Sequence, residues 1–572
     1  MLDYRIDNAL IIDGTGKEGY VGSIGVRAGR IVESPGTESA RQCIDADGLA
    51  VAPGFIEIHT HYDAQLFWDP WVNPSLAHGI TTVVAGNCGL AIAPASAEHV
   101  DFLTRLMARV EGMPIEALES GVPWDWRDYS GYAQKFAGRL AVNVGFLAGH
   151  STIRRVVMGE AASERAASPD ETARMTALLG EILDQGAIGY STSFAQPHHD
   201  GDGRPVPSRF ATRDEVLALC AETGRHPGTF LELSPLQGLF SEETRALLTD
   251  MSATARRPLN WNLYVPGLAP PEVLANQIAV SDYAKARGGN VLALMMPIPM
   301  VMRSSFLSGF VLDSLPGWGQ LFLLRSAARI EALKDPATRA RMKAGLEATP
   351  DALKRATRFD RLVVTETYAE ENARFRGRLL GDIAREAGQP VLDVMLDIVV
   401  RDALRTGLQQ AGRDDSDALW KTLAANWFDP RTVVGGSDAG AHVDALFAAN
   451  YPLVMIEEAR RRQLAPLEKV IHVLTDVPAR RFGIRERGRI ADGWHADLVI
   501  LDPQRAGSET PGIVADLPGG GPRLTSRGKG IRHVFVNGVA VLNGQDPTGD
   551  LSGIVLRSGR DTQTVEPTPL AG

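Results

Sequence analysis

The fold of this chain is predicted by starting from one stretch, Val51-Ala-Pro-Gly-Phe-Ile-Glu-Ile-His-Thr-His-Tyr-Asp63. Residues 55–58 form a short apolar run after a Pro-Gly turn, which predicts a strand. His59 and His61 follow at its carboxyl end, and because side chains alternate along a strand, both imidazoles face the same side. Two such imidazoles can hold a divalent metal such as zinc, although an isolated His-x-His is more often an ordinary pair of histidines.

The run at 55–58 is the first of eight apolar runs that alternate with segments of helical sequence pattern. This alternation favours a parallel sheet with crossover helices. The predicted strands are 55–58, 82–85, 142–147, 187–190, 229–233, 259–264, 291–295 and 432–435. Eight is the number that a (β/α)8 barrel requires. The predicted fold class is α/β, and the count is consistent with a TIM-like barrel over residues 53–484. The segment at about 300–425 has a charged, helical sequence pattern and is too long for one crossover. It predicts a helical insertion on the barrel.

Both ends of the chain carry short strands and turns. Residues 1–52 and 485–560 are each too small to fold alone, so we expect them to complete one small β-sandwich domain together. Residues 561–572 are rich in Thr, Pro and Gly. This composition predicts a poorly ordered tail.

Composition limits the classes of function. The 572 residues are 44% hydrophobic and 22% charged, as in ordinary globular proteins, and the net charge of -10 argues against nucleic acid or an anionic membrane as partner. The chain has no apolar run of ~18 residues and no basic, apolar signal peptide. Its three scattered cysteines suit a reducing compartment. A cytoplasmic protein that binds a small-molecule substrate is predicted, and a homo-oligomer is possible.

Other candidate residues also follow predicted strands, which is where a barrel places its active groups. Cys88 lies in Gly-Asn-Cys-Gly after the second strand, and Asp438 lies in Gly-Ser-Asp-Ala-Gly after the eighth. Taken alone, Cys88 is more often a small buried apolar residue and Asp438 a helix cap. His150 follows the third strand, where a lone histidine at a helix start is more often structural.

The loop His198-His-Asp-Gly-Asp-Gly-Arg-Pro-Val-Pro-Ser-Arg209 after the fourth strand is a further candidate. Its histidines and aspartates could supply a ligand or contact substrate, and an arginine such as Arg204 could pair with a substrate carboxylate. A polar turn rich in Gly and Pro explains the loop equally well. The candidate substrate-binding set is His150, His199, Arg204 and His442.

Together these motifs resemble the amidohydrolase superfamily. The text at 52–64 is similar to its strand-1 signature, and Gly79-Ile-Thr-Thr-Val-Val-Ala-Gly-Asn-Cys-Gly89 resembles its N-acyl-D-amino-acid deacylase (D-aminoacylase) branch. Further similar segments lie at 186–192, 436–442, 474–479 and 487–500.

The resemblance implies a metal-dependent hydrolase that cleaves the amide bond of an N-acyl amino acid or a related small molecule. It implies one or two divalent ions, most simply Zn2+. Its metal ligands would be His59, His61, Cys88 and Asp438, with Asp438 also the general base for a metal-activated water. A cyclic amide, carbamate or ester substrate, or a non-catalytic ligand-binding barrel, stays open because fold does not fix function.

Two expected ligands are missing. The family places a histidine at the end of strand 5 and another at the end of strand 6, but the segments 229–235 and 258–264 contain none. Three explanations stay open. One metal may suffice on His59, His61 and Asp438, or the site may be degenerate. Alternatively, other residues substitute, with candidates Glu232, Asn260, Asn262 and the loop segment His198-His199-Asp200.

Overall fold

The computed structural model describes residues 1–309, 312–349, 354, 357–412 and 414–567. Its centre is a closed barrel of eight parallel strands. These strands, numbered 1 to 8 in chain order, are Phe55–Glu57, Ile80–Ala85, Asn143–Phe146 continued by Ala148–Gly149, Gly189–Ser193, Phe230–Ser234, Leu259–Tyr264, Val291–Met295 and Thr432–Val434. Neighbours in this order pair in parallel. A bridge from Thr60 to Ala439 closes the barrel between strands 8 and 1, so the predicted (β/α)8 fold is confirmed.

Helices surround the barrel and begin at ordinary capping signals. Ser168 forms a capping box with Glu171, and Thr212 and Ser241 accept hydrogen bonds from backbone amides of the helices that they precede. No helix in the described ranges is long and apolar enough to cross a bilayer. The helices outside the insertion are Val100–Val110, Ile115–Gly121, Tyr129–Gln134, His150–Met158, Pro169–Asp184, Arg213–Arg225, Glu242–Ala255, Pro271–Lys285, Asp417–Trp427, Tyr451–Arg461, Leu467–Leu474 and Asp476–Phe482.

The two chain ends meet in one nine-stranded sheet. Its strands in spatial order are Asp546–Pro547, Val539–Asn543, Ile531–Val536, Leu498–Leu501, Ala50–Pro53, Leu2–Ile11, Tyr20–Arg27 and Arg30–Val32, with Ala40–Asp45 beside Leu2–Ile11. The strand at 50–53 pairs with both an N-terminal and a C-terminal strand, so a small β domain built from both termini is confirmed. Two short hairpins accompany it: Gly507–Ser508 with Gly528–Lys529, and Gly512–Val514 with Arg523–Thr525.

The insertion is not purely helical, which corrects the prediction. Its helices are Gly319–Phe322, Ser326–Lys334, Pro336–Glu347, Leu380–Ala387 and Val391–Arg401, and they share an apolar core with a small sheet. The sheet runs Leu362–Glu366, Gly407–Gln410, Val301–Ser304 and Leu446–Phe447. Each strand is short and its partner is distant in the chain, so no local pattern announces it. The last strand follows the loop after barrel strand 8, so the insertion sits at the carboxyl end of the barrel.

The predicted tail is also partly ordered. Thr562 is buried and donates a hydrogen bond of 2.7 Å to the Gly228 carbonyl, and the Gln563 amide donates to Gly483. Both hydrogen bonds go to backbone carbonyls of residues that are distant in the chain, which composition does not reveal. Residues 568–572 of the predicted tail lie outside the described residues.

Candidate metal centre

The carboxyl ends of barrel strands 1, 2 and 8 converge on one cluster of side chains. The Nε2 atoms of His59 and His61 lie 3.4 Å and 3.1 Å from the same oxygen, Oδ1 of Asp438. Cys88 Sγ lies 3.7 Å from His59 Nε2. The ligand atoms of His59, His61 and Cys88 all lie within 4.8 Å of one another. Zinc bonds of about 2.0–2.3 Å place tetrahedral ligand atoms roughly 3.3–3.8 Å apart, so these side chains fit around one ion.

The cluster is open to solvent on one side only. The Asp438 side chain is 22% exposed, whereas the two imidazoles are at most 3% exposed. The solvent-facing side of the cluster is therefore at Asp438, with the two imidazoles behind it.

The backbone at the cluster adopts an uncommon conformation. Cys88, Asp438 and His442 have φ values of 56°, 57° and 46°, in the left-handed region that non-glycine residues seldom occupy. Such outliers concentrate at functional sites, where surrounding structure holds them in place. The glycine-rich text around Cys88 and Asp438 supplies the tight turns that make these conformations possible.

A buried carboxylate, Glu57, fixes strand 1 against the turn after strand 8. It accepts hydrogen bonds from the backbone amides of His59 at 3.0 Å, Gly436 at 3.1 Å and Ser437 at 3.3 Å. This clamp places Asp438 beside the imidazoles.

Three further acids are buried close to the centre. Burial raises the pKa of Asp63 and of Glu232 to about 7, and burial together with the charge of Asp438 raises the pKa of Glu111 well above its usual value. Within the described residues, none of these three carboxylates lies within 4.0 Å of a lysine or arginine nitrogen. A divalent cation would offset this excess of buried acid, so the donor set fits a metal.

The histidines respond differently to this environment. Burial lowers the pKa of both imidazoles, but the contact with Asp438 and the charge of Glu232 more than offset it at His59, whose pKa is raised. The pKa of His61 is lowered. Burial, and then the nearby carboxylates, raise the pKa of the Cys88 thiol. A thiolate ligand at this position therefore requires a cation beside it.

Strands 5 and 6, which lack the expected histidines, contribute a hydrogen-bonded group next to Cys88. Glu232 accepts from the Cys88 amide at 2.8 Å, and Ser234 Oγ lies 3.7 Å from Cys88 Sγ. The Asn262 amide is best satisfied when its nitrogen donates to Glu232 and its oxygen accepts from Ser234. Asn260 instead donates to the Leu231 carbonyl. Of the candidate substitutes on these strands, Glu232 and Asn262 therefore lie at the centre.

Two other acids and bases border the cluster. His442 Nε2 lies 3.6 Å from Asp438 Oδ2, and burial lowers its pKa to about 4, so this imidazole is neutral. Glu111 Oε1 lies 3.2 Å from His61 Nδ1, close but not aligned for a hydrogen bond. Glu111 is absent from the predicted set because it follows a helix rather than a barrel strand. The one local feature of the sequence that could have marked Glu111 as a site residue is the glycine that follows it, Gly112.

In the loop after strand 4, His198 of the candidate segment His198-His199-Asp200 faces the centre, whereas His199 of the predicted substrate-binding set does not. His198 bonds to Ser193 Oγ at 2.8 Å, and burial and the charge of His442 lower its pKa to about 3. His199 donates to the Pro197 carbonyl, and Arg204 pairs with Glu164 in a half-exposed contact. The structure therefore does not bring His199 and Arg204 to the metal cluster.

His150 has a structural role instead of the predicted contact with substrate. It is fully buried, and its two ring nitrogens bond to Thr192 at 2.8 Å and to Glu215 at 2.9 Å. Glu215 also binds the buried guanidinium of Arg154. No ring nitrogen is left for a ligand.

The hydrogen-bond network of His150, Arg154 and Glu215 is expected to contribute strongly to the free energy of unfolding. Glu215→Ala leaves the Arg154 charge buried without its carboxylate, so we expect a loss of about 3–5 kcal/mol in the free energy of unfolding. Urea denaturation followed by circular dichroism measures it. Glu164→Ala, which breaks the exposed pair with Arg204, should cost at most about 1 kcal/mol. Equal costs for the two variants would contradict this role.

A parallel barrel with a His-x-His pair on strand 1 and an aspartate after strand 8 defines an amidohydrolase. The chain matches the Amidohydrolase family over residues 42–542 and belongs to it. It is 27% identical to a D-aminoacylase of Alcaligenes xylosoxydans xylosoxydans, with 97% of each chain covered. It is 28% identical to an N-acyl-D-aspartate deacylase of the same organism, covering 97% of this chain and 95% of the relative. A crystal structure of a D-aminoacylase superposes with a TM-score of 0.65 at 26% identity, covering 97% of this chain and all of the other.

Proposed function

We propose that this amidohydrolase cleaves the amide bond of an N-acyl-D-amino acid with a single divalent ion, Zn2+. His59, His61 and Cys88 bind the ion, and Asp438 acts as the general base. The observation that carries the proposal is the convergence of two imidazoles and a thiol on one point beside a carboxylate. The substrate class follows from the relatives, which are a D-aminoacylase and deacylases of N-acyl-D-aspartate and N-acyl-D-glutamate.

The ligand count supports a catalytic site. Catalytic zinc sites keep three protein ligands and leave a further position open, and His59, His61 and Cys88 supply three. When bound, the ion supplies a Lewis acid that polarises the scissile carbonyl and makes hydroxide available near neutral pH.

Asp438 has the properties of the proton acceptor. Its Oδ1 lies 3.4 Å from His59 Nε2 and 3.1 Å from His61 Nε2, and its side chain, at 22% exposed, is the one in the cluster most open to a water molecule. It takes a proton from the attacking water, holds it, and passes it to the leaving amine nitrogen. His442, neutral and 3.6 Å from Oδ2, orients the carboxylate from its other side.

A single ion is favoured by what surrounds Cys88. Glu232, Ser234 and Asn262, on the two strands that lack the expected histidines, bond to one another, and Glu232 also bonds to the Cys88 backbone, so they offer no imidazole for a second ion. A structurally similar D-aminoacylase, 25% identical, has a binuclear metal centre with one-metal activation and second-metal attenuation.

Metal analysis tests the proposal. We expect about one zinc ion per chain by elemental analysis, and we expect hydrolysis of N-acetyl-D-amino acids to stop on removal of zinc by 1,10-phenanthroline and to return with added Zn2+. The L-enantiomers serve as the substrate control. Activity that survives complete removal of metal would refute the proposal, and two ions per chain would refute the single-ion site.

A further inference from the structure

The loop after strand 4 presents a polar atom that the proposed reaction has not yet used. His198 is half-buried, and its Nδ1 bonds to Ser193 Oγ at 2.8 Å. Its other ring nitrogen, Nε2, has no hydrogen-bond partner among the described residues and is reachable from solvent. This nitrogen is therefore available to a ligand.

The hydrogen bonds of Ser193 decide which nitrogen of this imidazole carries the proton. Ser193 is fully buried, and its Oγ already accepts a hydrogen bond from the Ala195 amide at 3.1 Å. Within the part of the chain that the structure describes, His198 Nδ1 is the one partner left for the hydroxyl proton. Because buried hydroxyl groups are nearly always bonded, Ser193 donates to Nδ1. In a neutral ring the proton then lies on Nε2, which makes that atom a donor.

His198 is neutral and faces the metal centre. Burial, and after it the neighbouring His442, lower the pKa of His198 to about 3, and Asp438 and His61 also act on this pKa. Strands 4 and 8 stand on opposite sides of an eight-stranded barrel, so His198 and Asp438 approach the centre from opposite sides of its mouth. A substrate bound between them has the carboxylate on one side and the Nε2–H group on the other.

A neutral donor at this place suits an oxygen that becomes negative during the reaction. The carbonyl oxygen of an amide gains negative charge when water adds to the carbon, and fixed donors aimed at that oxygen stabilise the transition state. The thiolate among the proposed ligands cancels part of the charge of a Zn2+ ion and so weakens its pull on the oxygen. A second donor would therefore add to the rate.

We propose that His198 is a catalytic residue whose Nε2–H group donates a hydrogen bond to the oxygen of the scissile carbonyl as water adds. Ser193 is the positioning residue that fixes the ring and its tautomer. His198 keeps its proton throughout, so the proton of the attacking water still passes to Asp438 and then to the leaving amine. The inference rests on the proposed amide hydrolysis, but the donor can also be tested without turnover.

Kinetics of His198 variants test the role directly. His198→Ala is expected to lower kcat about 10²-fold, as the loss of one such donor does, with little change in KM or in zinc content. His198→Gln, whose amide can still donate, should recover part of that loss. His199→Ala is the matched control, because its imidazole donates to the Pro197 carbonyl and does not face the centre. It should match the wild type in kcat, and circular dichroism shows that each variant is folded.

A tetrahedral analogue tests the donor without turnover. The methylphosphonamidate of a D-amino acid carries negative oxygens where the carbonyl oxygen would gain charge. By isothermal titration calorimetry, its Kd should be about 10²-fold higher for His198→Ala than for the wild type or His199→Ala, and Ser193→Ala should lie between them. The free D-amino acid lacks those oxygens, so it should bind to all four proteins equally.

The outcomes separate this inference from the proposed function. If the wild type cleaves no amide but the phosphonamidate binds in this pattern, His198 stands as a donor and the hydrolase proposal fails. If amides are cleaved while His198→Ala keeps its kcat or its affinity for the phosphonamidate, His198 is not the donor and the hydrolase proposal stands. Equal losses in His198→Ala and His199→Ala, or a wild type that does not bind the phosphonamidate, also overturn the inference. Should His198→Ala not fold, unchanged kcat and affinity in Ser193→Ala would overturn it.

Discussion

Asp438→Asn is expected to lower kcat for amide hydrolysis by about 10³-fold while the protein keeps its zinc. A general base contributes roughly 10²–10⁴-fold to a rate, and an amide in its place cannot accept the proton of the attacking water. Because His59, His61 and Cys88 remain, the ligand set that we propose is intact. Steady-state kinetics and elemental analysis of the same preparation measure both effects.

Asp250→Asn is a suitable control for this variant. It makes the same chemical change at an exposed aspartate that pairs with Arg213, away from the metal cluster. It should match the wild type in metal and rate. Loss of both zinc and activity in Asp438→Asn would show that the carboxylate is also a ligand. Full activity would refute its role as base.

The barrel and the first half of the metal site could be predicted from the sequence, because their signals are local. Most of the strands contain short apolar runs, and His59, His61, Cys88 and Asp438 each lie within four residues after a strand. In a barrel, position after a strand is enough to bring side chains together.

The remaining features depend on contacts that no local pattern contains. Glu111 comes from a helix end and meets His61 only because the chain folds back over the barrel. His150 looks available in the sequence, but Glu215, 65 residues away, occupies it. His198 rather than its neighbour His199 approaches the centre, a choice set by the bond to Ser193. These outcomes depend on tertiary packing.

The missing histidines of strands 5 and 6 are a further case in which the sequence does not predict the tertiary contacts. Their absence is visible in the sequence, but whether the space is vacant, filled by ligands or closed by other side chains is not. The structure shows Glu232 and Asn262 beside Cys88, joined through hydrogen bonds. It also brings Cys88 to the imidazoles of strand 1, 3.7 Å from His59. Ser234 Oγ lies at the same distance from the thiol, 3.7 Å, so the assignment of Cys88 to the ion of His59 and His61 is part of the proposal and is tested by mutation.

That placement makes Cys88→Ala the decisive variant for the metal centre. If the ion is held by His59, His61 and Cys88, loss of the thiolate should weaken zinc affinity by more than about 100-fold, since even outer partners of metal ligands contribute 10–100-fold. Activity should fall with it and recover in part at high zinc concentration. Competition with a zinc-binding dye measures the affinity.

Cys220→Ala provides the matched control because Cys220 is also a fully buried thiol, in the helix Arg213–Arg225 and outside the metal cluster. Both substitutions remove a buried sulfur atom, so any loss of stability caused by the cavity left behind appears in both variants. We expect Cys220→Ala to bind zinc as the wild type does. If Cys88→Ala also keeps its zinc and much of its activity, the ion is held by His59, His61 and Asp438. Asp438 would then act as a ligand, and the thiol would have no part in binding metal.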